Sequence, residues 1–218
     1  MRVDARLREV LIAHGPCGLL DLEKRSPFDA LVIAIVNQQL STSAARTIAG
    51  RLCQLFPDGR LPAPEGWRQV SVEQIRAVGL SRPKATYIKE LADRIASGDI
   101  PLAGLADLPD EDVIALLTRA RGIGRWSAEM VLMFTLRRPD VLPLDDLGIL
   151  RAVQRVYRLR KPPTPDRVRR IAAPWRPYRT VACWYLWASL SATPVQTMPA
   201  GKTRNRRPKP ALIALRRR

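Results

Sequence analysis

Residues Leu116 to Val153 read LLTRARGIGRWSAEMVLMFTLRRPDVLPLDDLGILRAV. An apolar helix ends near Ala120, the triplet Gly122-Ile123-Gly124 follows, and a second helix carries Ala128, Val131 and Leu132 on its apolar face. Two glycines around one apolar residue suit a very tight turn, because glycine allows positive φ while the isoleucine pins the turn to the core. The N–H groups of Gly122 and Gly124 then lie at the N-terminus of the second helix, where backbone alone can hold a phosphate. The same residues also suit an ordinary helix–helix joint capped by glycine.

The helical period extends outward in both directions. Phe28, Leu31, Val32 and Ile35 fall at i, i+3, i+4, i+7, as do Ile88, Leu91, Ala92 and Ile95. Ala44, Ile48, Leu52 and Leu55, then Ile149, Val153 and Val156, then Cys183, Trp187 and Leu190, continue it. Sustained period-two alternation is missing, so the chain is expected to be all-α, with about nine or ten helices. Ser71 with Gln74 reads as a capping box, Asp110 after Pro109 as an N-cap, and Thr164-Pro165 as a cap with proline at the first helical position. Prolines around residues 57–64 and 162–165 mark loops.

The chain has 218 residues, 46% of them hydrophobic, and a mean hydropathy of −0.13, so it has apolar material for a core and is not a disordered chain. It carries 37 basic and 20 acidic residues, a net charge of +17, which points to a polyanionic partner. Residues Gly201 to Arg218 hold eight of the cations and no acid, and read as a flexible basic tail, yet the rest of the chain stays basic without them. Three scattered cysteines, Cys17, Cys53 and Cys183, offer neither a disulfide framework nor a paired metal motif. The single histidine, His14, argues against a histidine-based triad. No secretory leader and no apolar run of membrane-spanning length is visible, so a soluble cytoplasmic protein without a membrane partner is expected.

Several runs occur together in order: Asn37-Gln38-Gln39-Leu40-Ser41, Gly79-Leu80-Ser81 before Lys84-Ala85, Gly122 to Ala128, Pro143-Leu144-Asp145-Asp146, and Trp175 to Arg179 before Trp184-Tyr185-Leu186-Trp187. In this order they resemble the helix-hairpin-helix DNA glycosylases, and within them the alkyl-base branch, DNA-3-methyladenine glycosylase II, over roughly residues 28–190. The resemblance implies two helical lobes with a DNA-binding cleft between them. Residues 1–60 with 146–200 would form one lobe, residues 61–145 the middle lobe with the hairpin, and 201–218 the tail. It implies a monomeric enzyme acting on double-stranded DNA with damaged bases, which flips out an alkylated base such as 3-methyladenine or 7-methylguanine and hydrolyses its N-glycosidic bond.

By that resemblance the catalytic carboxylate is Asp146, and the residues agree in kind. An aspartate at a helix start is stabilised as an anion, and a fixed carboxylate stabilises the positive charge that builds on the sugar or activates water. One of Asp145 and Asp146 also reads as a plain N-cap. Relatives that nick the strand carry a lysine two residues after the second glycine; here Trp126 stands there, which implies base removal without lyase chemistry. Trp126, Met130 and Trp187 map onto the base pocket, where an indole face favours a cationic base; for Met130 and Trp187 core packing is an equal reading. Gln38 and Gln39 map onto the segment that fills the gap left by the flipped base, or else simply end their helix. Gly122, Gly124 and Arg125 map onto the DNA phosphate site. The three cysteines cannot hold a four-cysteine iron–sulfur cluster, and no cofactor is expected apart from a monovalent cation that the hairpin allows. A DNA-binding repair protein with the same hairpin and no enzymatic activity is the competing expectation; it requires neither Asp146 nor the tryptophans.

Overall fold

The computed structural model describes residues 4–19, 21–22 and 25–190, and the basic tail lies outside them. Among the described residues there are ten α-helices and no strand. In chain order they are α1 (Ala5–His14), α2 (Pro27–Asn37), α3 (Thr42–Cys53), α4 (Val72–Ala77), α5 (Arg82–Ala96), α6 (Asp110–Leu117), α7 (Arg125–Met130), α8 (Leu147–Val156), α9 (Pro165–Ala172) and α10 (Arg179–Ser189). A π-helical turn, Val131–Thr135, prolongs α7. The all-α expectation holds.

Local chemistry sets most helix starts. Ser26, Ser41, Ser71 and Thr164 each accept a backbone N–H from the first turn of their helix. The capping box at Ser71 and Gln74 is complete in both directions, at 3.1 and 2.8 Å. Asp110 differs from expectation: it is the first residue of α6, and Pro109 occupies the cap position. Its charge still adjoins Glu111 and Asp112 in the first turn, where three carboxylates meet the positive end of the helix.

The helices divide into two compact units. One comprises α1 with α8, α9 and α10; the other comprises α2 to α7. The expected grouping of residues up to 60 with the C-terminal third is therefore corrected, because only the segment up to residue 22 packs there, and 138–145 joins it. The reason lies in what α2 buries. Its apolar face, Phe28, Leu31, Val32, Ala34, Ile35 and Val36, packs against α5, α7 and the π turn, and Phe28 meets Trp67 edge-on at 5.8 Å between centroids. Phe56 closes on the same indole at 4.9 Å. Trp67, fully buried, thus ties both ends of the α2–α3 hairpin to the middle of the chain.

In the other unit, α1 docks through polar pins as well as Leu7. Asp4 caps α1 through Oδ1 at 3.0 Å, and its Oδ2 accepts the Tyr157 hydroxyl at 2.5 Å. The Tyr185 hydroxyl donates to the carbonyl of Gly15 at 2.7 Å. Both ends of α1 are held by side chains from beyond residue 150, and no local pattern announces these bonds.

Candidate active site

The hairpin is built as the triplet implied. α6 ends at Leu117, Gly122 has φ +84°, and Ile123 is buried. A methyl group on Gly122 would stand 2.5 Å from Cδ2 of Tyr87, so both the backbone and the packing demand glycine there. Gly124 is different. It has φ −97°, is exposed, and a methyl group would meet nothing within 4 Å. The fold does not require glycine at 124; a bare backbone N–H at the start of the α7 segment is what a close ligand requires. Arg125 is held by Glu111 through two hydrogen bonds, at 2.9 and 2.5 Å, and by Glu129 at 3.1 Å. Its guanidinium is engaged by these two carboxylates of the protein.

The Gln38–Gln39 turn lies in the same unit and touches the hairpin. Gln38 caps α2, and its side-chain amide donates to the carbonyl of Gly122 at 2.7 Å. Gln39 is exposed and left-handed, with φ +57°. The two glutamines thus differ: one side chain points into the protein, the other stands at the tip of a turn. Trp126 and Met130, on α7, are each partly exposed, whereas Ser127, Ala128 and Glu129 between them are buried.

In the unit of α8 and α10, Asp146 is the N-cap of α8 and 3% exposed. Its Oδ1 accepts the backbone N–H of Ile149 at 2.7 Å and the indole N–H of Trp187 at 3.0 Å. The capping role open to the aspartate pair falls to Asp146, while Asp145 is exposed. Trp187, mapped onto the pocket, also acts as a donor that orients the carboxylate. Gly148 completes the arrangement: a methyl group there would lie 2.9 Å from Asp146 Oδ1 and 3.1 Å from Trp187 Cδ1. Sequence reasoning misses Gly148, whose one signal is a glycine two residues beyond the aspartate, in an otherwise apolar helix start.

The loop leading to Asp146 is clamped from α10. Arg179 forks onto Asp140 at 2.6 and 2.9 Å, Thr180 accepts the N–H of Val141 at 3.0 Å, and its own N–H donates to Pro139 at 2.9 Å. The helix that carries Trp187 is thus fixed at its start to the loop that carries Asp146. Among the described residues no group of three or more His, Cys, Asp or Glu side chains gathers as a metal site, and the cysteines stand free of one another. No described helix is long and apolar enough to cross a membrane.

Comparison with known proteins finds relatives of this sequence and fold. Residues 32–177 match the profile of the HhH-GPD superfamily base excision DNA repair proteins. The chain is 40% identical over 167 residues to DNA-3-methyladenine glycosylase 1 of Schizosaccharomyces pombe, covering 76% of this chain and 73% of that protein. Its fold is similar to that of a solved S. pombe 3-methyladenine DNA glycosylase, Mag1, in complex with abasic DNA, with a TM-score of 0.77, 35% identity, and coverage of 88% of this chain and 94% of the other. It is also similar to a solved DNA-3-methyladenine glycosidase of Bacillus halodurans, with a TM-score of 0.75, 37% identity, and coverage of 87% and 86%.

Proposed function

The chain belongs to the HhH-GPD superfamily of base excision DNA repair proteins, and on that premise we propose that it is a monofunctional DNA glycosylase of the DNA-3-methyladenine type. It takes alkylated bases, of the 3-methyladenine and 7-methylguanine kind, out of duplex DNA and leaves an abasic site. The observation that carries the reading is the Asp146 carboxylate, buried at a helix start and aimed by the Ile149 N–H and the Trp187 indole. A carboxylate that served only as a cap would need the first of these donors and not the second.

The chemistry follows from the leaving group. Alkylation makes the base cationic, so the bond from the sugar carbon to the base nitrogen breaks with its electron pair passing to the base, which departs neutral. Positive charge is left on the sugar, and the fixed Asp146 anion stabilises it. Water then adds to the sugar carbon and loses a proton to the carboxylate. No general acid is needed for a base that already carries its charge. The hairpin N–H groups hold the backbone phosphate, Trp126 and Met130 receive the base, and Gln39 fills the vacated stack. The protein acts as a monomer and without an iron–sulfur cluster, which its three cysteines could not ligate.

The test is incubation with methylated duplex DNA, with free base and strand breaks scored separately. Free methylated purine should appear, the strand should break only after alkali, and borohydride should trap no protein–DNA adduct, since an indole forms no imine. A protein that binds the duplex and releases no base would be the DNA-binding module instead. Strand nicking without alkali would overturn the monofunctional assignment.

A further inference from the structure

Lys84 lies near the start of α5, in the same unit as the hairpin, and its ammonium is half-buried. It donates to two backbone carbonyls at the end of α2: that of Val36 at 3.0 Å and that of Gln38 by a shorter bond. The last carbonyls of a helix have no partner within it, and a cation there satisfies them and meets the negative end of the helix. Burial pushes the Lys84 amine below the usual lysine value, which by itself would suit an imine-forming nucleophile. The geometry assigns it another task, because both bonds are to main chain.

Four features converge on one turn. Lys84 holds the carbonyl of Gln38, the Gln38 side chain holds the carbonyl of Gly122, the Gly122 backbone runs so close to Tyr87 that a methyl group there has no room, and Gln39, next along the chain, stands exposed with φ +57°. A left-handed glutamine is strained, and the strain persists only where the surroundings over-determine the backbone. We propose that Lys84 is a positioning residue for base extrusion: it fixes the end of α2 to α5 and so holds the Gln38 side chain on the hairpin carbonyl, so that the group entering the DNA stack and the group holding the phosphate move as one rigid piece. The inference rests on the glycosylase reading for what Gln39 does, and on the hydrogen bonds alone for what Lys84 does.

Two consequences separate this role from ordinary stabilisation. A rigid wedge matters most where the target base is paired and stacked, and least where it is already mispaired, since unpairing then costs little. Removing the ammonium should therefore slow excision selectively on paired lesions. General loss of structure would slow both substrates alike.

The experiment compares wild type, Lys84→Met and Lys84→Arg in single-turnover excision of 7-methylguanine, paired with cytosine or mispaired with thymine. In parallel, the fluorescence of 2-aminopurine stacked beside the lesion is read on binding, before any base is released. Lys84→Met should lose roughly tenfold or more on the paired substrate, as expected for charged hydrogen bonds, and clearly less on the mispaired one. It should also fail to raise the fluorescence that wild type raises. Lys84→Arg, which keeps a cation with several donors, should recover part of both. Equal losses on the two substrates, or a wild-type rate for Lys84→Met on the paired one, would overturn the proposal. If wild type releases no base from either duplex, the glycosylase reading fails, and the fluorescence alone decides: a wild-type rise that Lys84→Met lacks upholds the positioning role, and no rise in wild type overturns it.

Discussion

At Asp146 one carboxylate oxygen serves two donors, and stability and chemistry are separable there by substitution. Asp146→Asn keeps an oxygen for the Ile149 N–H and remains a good cap, but loses the charge. Base release should fall by roughly two to three orders of magnitude, with duplex affinity and melting temperature near wild type. Asp146→Ala should lose the same activity and also about 1 kcal/mol of stability. The capping role that the pair offers belongs to Asp146, whose Oδ1 accepts the Ile149 N–H, and Asp145 is exposed; Asp145→Asn should leave both quantities close to wild type in the same assays. Gly148 gives a sharper test, because a methyl group there has space only if the carboxylate or the indole moves. Gly148→Ala should lower the single-turnover rate by about a hundredfold, the order reached when a reacting group is misplaced by an ångström, while binding to undamaged duplex is unchanged. An unaltered rate in Gly148→Ala would mean that the Asp146–Trp187 geometry does not govern the chemistry.

The hairpin and the α10 clamp act at the scale of elements. The two hairpin glycines are glycines for different reasons, so their alanine variants should fail differently. Gly122→Ala meets Tyr87 and a left-handed backbone, and should lower stability by about 1–3 kcal/mol, read as a fall in melting temperature. Gly124→Ala meets nothing in the protein; it should melt like wild type and bind duplex DNA less tightly in a titration. The clamp at Asp140 makes stability depend on acid. Burial alone would raise the Asp140 carboxyl, but hydrogen bonds from the side chain and backbone of Arg179, with the Arg176 charge nearby, outweigh it and hold the group below the ordinary carboxylate value. A group depressed in the folded state contributes stability above its unfolded value, about 4, and that contribution is lost as pH falls through the folded value. Asp140→Asn should therefore melt below wild type near neutral pH, and the two curves should converge as the medium is acidified below about pH 4. A gap that stays constant on acidification would show that the ion pair is not its source.

For the whole molecule the dominant quantity is charge, and the tail of residues 201–218 supplies eight cations with no acid. If it follows the duplex, deleting it should weaken binding and flatten the dependence of affinity on salt, by about 0.9 in the logarithmic slope for each phosphate it had neutralised. The excised base should stay the same, and equal slopes would show that the tail does not touch DNA. The helices themselves were legible in the sequence, because period and caps are local: Phe28 to Ile35 had to bury one face, and Ser71 with Gln74 had to start a helix whatever lay around them. The hairpin was legible for the same reason, since glycine at 122 permits the left-handed backbone that the tight turn adopts there. The bond from Trp187 to Asp146, the closeness of Gly148 to both, the grasp of Lys84 on the end of α2 and the division of the helices at residues 22 and 137 were not. Each joins residues far apart in the chain or depends on how two helix faces meet, and an amphipathic pattern fixes which face a helix buries without fixing what it is buried against.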